Sequence, residues 1–187
     1  VIELQMEEPT LDDTMPDNER LVWALEAQTG KENIKLSFTV LRKMAKVLRE
    51  AAFHVKVVAT VKEEEVFVYD ILPAAEEATV TGIAIDIGTT TVSGVIVDLV
   101  SGKILAKASS GNGQIRYGAD VINRIIEQQK PGGVEKLQKA IIEETINPMI
   151  GNMCRAAKIM PGNIYNMCIG ANTTMNHLFV GVAGDPI

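Results

Sequence analysis

The sequence predicts an α+β protein in two parts, a small helix–helix–β-hairpin module followed by a larger α/β unit. Two helical patterns precede two alternating strand patterns in residues 1–79. Residues 80–187 instead begin with three strands and continue with helices, one further strand and a last helix. Between the two parts, residues 73–79 have the Pro-Ala-Ala-Glu-Glu-Ala-Thr composition of a linker.

The first part carries a signal for each of its elements. Asp17 is expected to cap a helix that Gly30 ends. A second helix, from Ser37, has apolar residues at i, i+3, i+4 and i+7, the spacing of one buried face. Alternation then predicts strands at 55–61 and 66–72 with an acidic turn between them. The module offers no catalytic set, so we expect it to act as scaffold, spacer or docking surface.

The second part begins as an antiparallel meander. Short turns separate three predicted strands, which span 80–88, 91–100 and 103–110. A helix from near Gly118 has its apolar residues on one face. A long helix over 133–157 is apolar over a broad surface, so we expect it to be largely buried, with a kink near Pro148. A strand at 164–169 and a short helix to about Phe179 complete the order.

The clearest functional signal is a strand that ends in an acidic residue, followed by a glycine and a run of hydroxyl residues. An apolar strand leads to Asp86, and Gly88 then precedes Thr89, Thr90 and Thr91. Glycine lets the backbone approach an anion closely, and the threonine amides can form a small nest of donors. Because a second strand follows at once, we predict a hairpin that binds phosphate and magnesium; from this motif alone, a solvated turn remains the alternative.

Further polar candidates lie in two later segments. Asn112 and Gln114 follow the third predicted strand, and Asn172 and Thr173 follow the fourth. Residues at strand ends can be presented rigidly by a sheet. We therefore expect Asn172 and Thr173 to line the cleft beside the hairpin, with Asn112 and Gln114 as further candidates.

These segments resemble known families. The Asp-x-Gly-Thr-Thr-Thr hairpin resembles the first phosphate motif of the superfamily that groups acetate and sugar kinases, Hsp70-type chaperones and actin. Residues 111–125 and 170–178 resemble the ATP-dependent reductive activators of corrinoid proteins, whose patterns are Asn-Pro-Gln-x-x-Tyr-Gly-x-Asp-Val and Gly-Asn-x-Thr-Met. The chain departs from them at Gly113, where Pro is usual, and at the inserted Ala171.

The resemblance implies a fold and a function. Residues 80–187 would be the first, incomplete lobe of an actin-like (ribonuclease H-like) ATPase fold. The protein would use ATP and Mg²⁺ to help return an inactive Co(II) corrinoid protein of a methyltransferase system to Co(I). Amides and hydroxyls of residues 88–91 would hold the β- and γ-phosphates, and Asp86, as the catalytic and metal-binding residue, would orient magnesium through water.

The resemblance also implies a [2Fe-2S] cluster in a domain that this chain lacks. Cys154 and Cys168 are expected to be two reduced core thiols, and two cysteines cannot supply the usual four ligands. Because the chain begins at Val1 rather than Met, we expect an interior piece of a longer protein. A homodimer is one assembly that we consider for it. Alone, it should hold no cofactor tightly.

Two other functions stay open. The same phosphate loop would serve a small-molecule kinase if the cleft held an acceptor hydroxyl or carboxylate. The chain could also be a noncatalytic docking module. A cysteine cluster pattern upstream would favour the activator, and its absence would favour the kinase.

The composition of the chain argues against some classes of partner and some cellular locations. A net charge of −6 argues against a nucleic-acid partner, which would require clustered Lys and Arg. No apolar run approaches the roughly 20 residues of a membrane span, and no secretory segment begins the chain. We therefore expect a cytoplasmic protein without membrane contact.

Overall fold

A computed structural model of the chain describes residues 1–184. The chain folds as two compact units, Val1–Ala78 and Thr79–Ile187. Among the described residues, no helix has the length and apolar character needed to cross a bilayer.

The first unit packs two helices on one sheet. Its elements are β1 (Ile2–Gln5), α1 (Asp17–Thr29), β2 (Asn33–Leu36), α2 (Phe38–Glu50), β3 (His54–Val61) and β4 (Glu65–Pro73). The strand order is β1-β3-β4-β2, with β3 antiparallel to β1 and β4, and with β2 parallel to β4. Leu25 of α1 and Leu48 of α2 are fully buried in a core shared with Val57 and Val68 of the sheet.

The prediction of only two strands in this unit is wrong. The predicted hairpin, β3 and β4, is the centre of a four-stranded sheet whose edges are β1 and β2. Each edge strand has four residues, and β1 buries one of them while β2 buries none fully. Such a short stretch is too brief to establish the two-residue alternation that identifies a strand.

The helix ends of this unit are close to those predicted. Pro16, rather than Asp17, occupies the cap position of α1, with φ −62° and ψ 148°. Asp17 is instead the first helical residue, and its carboxylate accepts a hydrogen bond from Arg49 Nη1 at 2.7 Å. Gly30 ends α1 in the left-handed conformation, as predicted. The second helix begins after Ser37, whose hydroxyl caps it by accepting from the Val40 amide.

The second unit is a mixed four-stranded sheet with helices. In the chain, the helices come after the three-stranded meander. Its elements are β5 (Thr81–Ile87), β6 (Thr91–Asp98), β7 (Ile104–Gly111), a 3₁₀ turn (Gly113–Arg116), α3 (Val121–Gln128), α4 (Gly133–Ile141), a π-helical turn (Ile142–Ile146), α5 (Asn147–Ala157), a second 3₁₀ turn (Pro161–Asn163), β8 (Ile164–Ala171) and α6 (Thr173–Val180). The strand order is β7-β6-β5-β8. The strands β5, β6 and β7 are antiparallel neighbours, and β8 runs parallel to β5.

One face of this sheet is packed and the other is open. Ile83, Ile85 and Ile87 of β5 are buried in a core with residues of α4, α5 and α6. The residues between them, Ala84 and Asp86, are exposed. Strand alternation thus places Asp86 on the open face.

The prediction of two core thiols holds for one cysteine only. Cys154 is buried on α5, and its burial raises the pKa of the thiol. Cys168 is exposed, so its predicted burial is wrong. Cys168 is in register with Ala84 of β5, which is also exposed. Residues in register on neighbouring strands lie on the same face of a sheet, so both side chains lie on the open face.

The predicted break in the long helix takes the form of a π-helical turn ahead of Pro148. The Asn147 amide donates to the Ile142 carbonyl, five residues earlier. Pro148 then lies in the first turn of α5, where its missing N–H costs little. The wider turn also positions the Thr145 hydroxyl, which accepts a hydrogen bond of 3.0 Å from the Gly113 amide.

The apolar stripe predicted for α3 is not its buried face. Ile122 and Ile126 are 70% and 53% exposed, whereas Arg124 and Glu127 are buried. Two lysines pair with the Glu127 carboxylate and lower its pKa. Periodicity counts apolar residues and does not register the tertiary partners that make a buried charge tolerable.

Candidate phosphate-binding site

Two parallel strand ends bring the predicted site residues to one edge of the second sheet. In the β5–β8 register, Asp86 lies opposite Gly170, and the next residue of β5 lies opposite Ala171. Asn172 therefore follows directly beside the end of β5. Asp86 is exposed and borders an open depression of about 530 Å³ on the uncovered sheet face.

The turn after β5 is a tight hairpin, as predicted. The Gly88 amide donates to the Thr91 carbonyl at 2.9 Å, which leaves Thr89 and Thr90 at the tip. A Cβ atom on Gly88 would lie 2.7 Å from that same Thr91 oxygen. The glycine is therefore required by the backbone of the hairpin itself, independently of any ligand.

The tip offers unused donors. Within residues 1–184, the amides of Thr89 and Thr90 make no hydrogen bond to another protein group. Thr89 is half-buried and Thr90 is exposed. Backbone amides without a protein partner at a strand end are the donors that an anion nest requires.

Asn172 joins the second segment to the hairpin. Its Nδ2 donates to the Thr89 hydroxyl at 3.3 Å, and its Oδ1 accepts from the Met175 amide at 2.9 Å, which caps α6. Thr173 is exposed as the first residue of α6. Of these two predicted cleft residues, Asn172 contacts the hairpin directly, and Thr173 lies next to it.

Asn112 lies behind the hairpin rather than in the cleft. It is 2% exposed. Its backbone amide donates to the Thr90 carbonyl at 2.8 Å, and its Nδ2 donates to the Gly88 carbonyl at 2.9 Å. Gln114, 1% exposed, donates through Nε2 to the Leu137 carbonyl at 2.9 Å. Both side chains therefore hydrogen-bond to other protein groups, so neither is available to bind a ligand.

Arg124 is the residue that sequence reasoning missed. Its side chain is fully buried on α3, and its Nη2 donates to the Thr89 carbonyl at 2.5 Å. Nε donates to the Gly118 carbonyl at 2.9 Å, and Nη1 lies 3.2 Å from Gln114 Oε1 and 3.1 Å from Met175 Sδ.

Three of those four acceptors are uncharged oxygens, and the fourth is a thioether. Burial lowers the pKa of Arg124, and the Asp120 carboxylate acts in the opposite direction. No ion pair to Arg124 is present in the described part of the chain. Its spacing on the helix did not indicate a function. The one indication in the sequence was that Arg124 lies within residues 111–125, the segment that resembles the reductive activators.

The site suits a magnesium–polyphosphate ligand better than an iron–sulfur cluster. Mg²⁺ binds through one or two carboxylates together with substrate phosphates. Asp86 supplies one carboxylate, and the free amides of the tip can bind the phosphates. The usual iron–sulfur cluster has four thiolate ligands, whereas the chain has two cysteines, one buried on α5 and one exposed on β8. Residues 1–184 contain no group of three or more His, Cys, Asp or Glu side chains placed to share a metal.

Comparisons with known proteins give consistent matches. A family model described as the RACo linker region matches residues 1–78, and one described as the RACo middle region matches residues 81–187. The corrinoid activation enzyme RamQ of Eubacterium limosum is 40% identical over 115 residues, which are 60% of this chain and 19% of RamQ.

A solved structure also matches. The reductive activator for corrinoid, iron-sulfur protein has a TM-score of 0.81 and 36% identity, and the match covers 97% of this chain and 29% of that one. The chain thus spans less than a third of either relative. The matches confirm the resemblance to reductive activators and the predicted fold class, an α+β chain whose second unit is a lobe of the actin-like type.

Proposed function

We propose that this chain, which belongs to the RACo family, supplies part of the nucleotide-binding lobe of an ATP-dependent reductive activator of corrinoid proteins. One observation carries the proposal. An exposed carboxylate, Asp86, and a hairpin tip with two unpaired amides lie at the same sheet edge as Asn172. The relatives named above are activators of corrinoid proteins, which supports the choice of reaction.

In this proposal each residue has a defined task. The amides of Thr89, Thr90 and Thr91 bind oxygens of the β- and γ-phosphates, and their hydroxyls add donors. Asp86 holds magnesium through water, since Mg²⁺ keeps much of its hydration shell. Asn172 orients the Thr89 hydroxyl, and Thr173 lines the neighbouring wall of the cleft.

The reaction itself is a one-electron transfer. In the full-length protein, a [2Fe-2S] cluster held by another domain would supply one electron and become oxidised, and the cobalt of the partner would go from Co(II) to Co(I). ATP binding drives the process by favouring one of two conformations, through its different affinity for each. The first unit serves as spacer or docking surface, and the location is cytoplasmic.

The reaction can be followed by the absorption spectrum of the corrinoid. The full-length protein, a reductant and the Co(II) corrinoid protein are mixed with and without Mg-ATP, and Co(I) formation is timed. We expect formation to depend on Mg-ATP. Asp86→Asn should slow it by about 10-fold or more, the value of one charge-assisted contact.

A matched control removes a carboxylate of the same unit at a distance from the hairpin. Glu135→Gln, exposed on α4, should leave the rate unchanged. Equal rates with and without Mg-ATP would overturn the proposed function. Equal rates for Asp86→Asn and wild type would overturn the assigned role of Asp86.

A further inference from the structure

Three consecutive carbonyls of the hairpin tip are tied to buried donors. The Gly88 and Thr90 carbonyls accept from Asn112, through its side chain and its backbone amide respectively. The Thr89 carbonyl between them accepts from Arg124. Asn112 and Arg124 are 2% and 0% exposed, so both donors approach the tip from the protein interior.

A hydrogen bond that holds a backbone carbonyl in place also fixes the direction of the amide N–H of the next residue. A peptide unit is planar and trans, so the C=O of one residue and the N–H of the next point in opposite directions. When the carbonyls of Gly88, Thr89 and Thr90 point to the interior donors, the amides of Thr89, Thr90 and Thr91 point away from them. Within residues 1–184, the Thr89 and Thr90 amides have no protein partner on that other side.

We infer that Asn112 and Arg124 are positioning residues for a polyphosphate, which hold the hairpin carbonyls so that the tip presents its amides to anionic oxygens. The inference rests on the proposed function for the identity of the ligand. It adds two residues that contact neither phosphate nor metal. Their effect is to remove the ordering cost that a free hairpin tip would incur on binding.

The geometry explains why an arginine is needed. Its planar fork reaches the Thr89 carbonyl, the Gly118 carbonyl and the Gln114 side chain at once. An ammonium group is a point charge on a flexible stem and cannot span these three acceptors together. The guanidinium also places a positive charge directly behind the tip, which favours an anion on the other side.

Arg124 is also connected to Asn172, on the β8 side of the site. Arg124 Nη1 lies 3.1 Å from the sulfur of Met175, a residue of α6 whose amide donates to Asn172. Asn172 in turn donates to the Thr89 hydroxyl. Both sides of the proposed phosphate site are therefore connected through the buried side chains of Arg124 and Met175 and the exposed side chain of Asn172.

Two variants test the positioning role. Asn112→Ala removes the donor to the Gly88 carbonyl and keeps the backbone bond to Thr90. Arg124→Lys keeps the charge and loses the fork. In the full-length protein, calorimetry with Mg-ATP should show each variant binding about 10-fold more weakly or worse, the loss expected when an oriented amide no longer meets a charged oxygen.

A second readout detects the tip without any ligand. Relaxation of ¹⁵N amides in the 187-residue chain should give rigid order parameters of about 0.85 at Thr89 and Thr90 in the wild type. In Asn112→Ala and Arg124→Lys these should fall toward about 0.6. A change in global stability alone would not produce a local loss of order at these two amides.

Controls separate positioning from loss of charge and loss of stability. Arg155→Met removes an exposed arginine of α5, and Ile96→Ala destabilises the same core from β6; both should keep wild-type order at the tip. Wild-type affinity in both test variants, or an unchanged tip order, would overturn the inference. If wild type itself fails to bind Mg-ATP, the proposed function falls, while the order parameters still decide whether Asn112 and Arg124 hold the tip.

Discussion

Replacing Gly88 with alanine should destabilise the second unit by a calculable amount. The new Cβ would lie 2.7 Å from the Thr91 oxygen, closer than carbon and oxygen can approach, so the tip must open. Opening breaks the 2.9 Å bond from the Gly88 amide to Thr91 and the 2.9 Å bond from Asn112 Nδ2 to the Gly88 carbonyl.

Each lost bond costs about 1 kcal/mol, and the buried Asn112 Nδ2, left with only its 3.8 Å contact to the Met175 sulfur, adds about 1 kcal/mol or more. Alanine restricts the unfolded chain and returns about 0.4–1 kcal/mol. The net loss is therefore about 2 kcal/mol. In a unit of roughly 100 residues this lowers the melting temperature by about 8 °C or more.

The assay is thermal unfolding followed by circular dichroism. Gly111→Ala is the matched control, because Gly111 pairs with Thr91 one strand away and a Cβ there would meet nothing within 4 Å. The single tryptophan, Trp23, lies in the first unit, so its fluorescence reports that unit separately. If Gly88→Ala and Gly111→Ala melt at the same temperature, the account of the hairpin backbone is wrong.

Three further predictions concern the two units. Lys35 and Lys62 lower the pKa of Glu65 to about 2, so this group stabilises the first unit above its ordinary pKa and the contribution is lost as pH falls from about 5 to about 2. Glu65→Gln should flatten that acid dependence, measured by urea unfolding at pH 3 and pH 7. Deleting residues 1–79 should leave a cooperatively melting second unit but weaken calorimetric binding to the corrinoid protein; unchanged affinity and activation rate would make the first unit a spacer only. The 187-residue chain alone should hydrolyse ATP negligibly, and a turnover equal to that of the full-length protein would refute the two-lobe cleft.

The hairpin was predictable because its signals are local. Alternation defines β5 and β6, and the short run from Asp86 to Thr91 leaves space only for a tight turn. Placing Asn172 beside it needed one more step, namely that β8 runs parallel to β5 and ends at the same edge. These steps give the position of the site residues, while their roles remain proposals.

The interior behind the hairpin was not predictable in the same way. Arg124 is 35 residues from Thr89, and the carbonyls that make its burial tolerable come from separate segments. Helical periodicity instead favoured burial of Ile122 and Ile126, which are exposed. A buried polar residue is decided by tertiary hydrogen bonds, which a single sequence does not specify.

The most direct test is a crystal structure of the full-length protein with Mg²⁺ and a non-hydrolysable ATP analogue. We expect phosphate oxygens about 3 Å from the amides of Thr89 and Thr90. We also expect magnesium on the Asp86 side of the tip, bound through water. A nucleotide whose phosphates lie away from this hairpin would show that the tip of residues 88–91 is not the phosphate site.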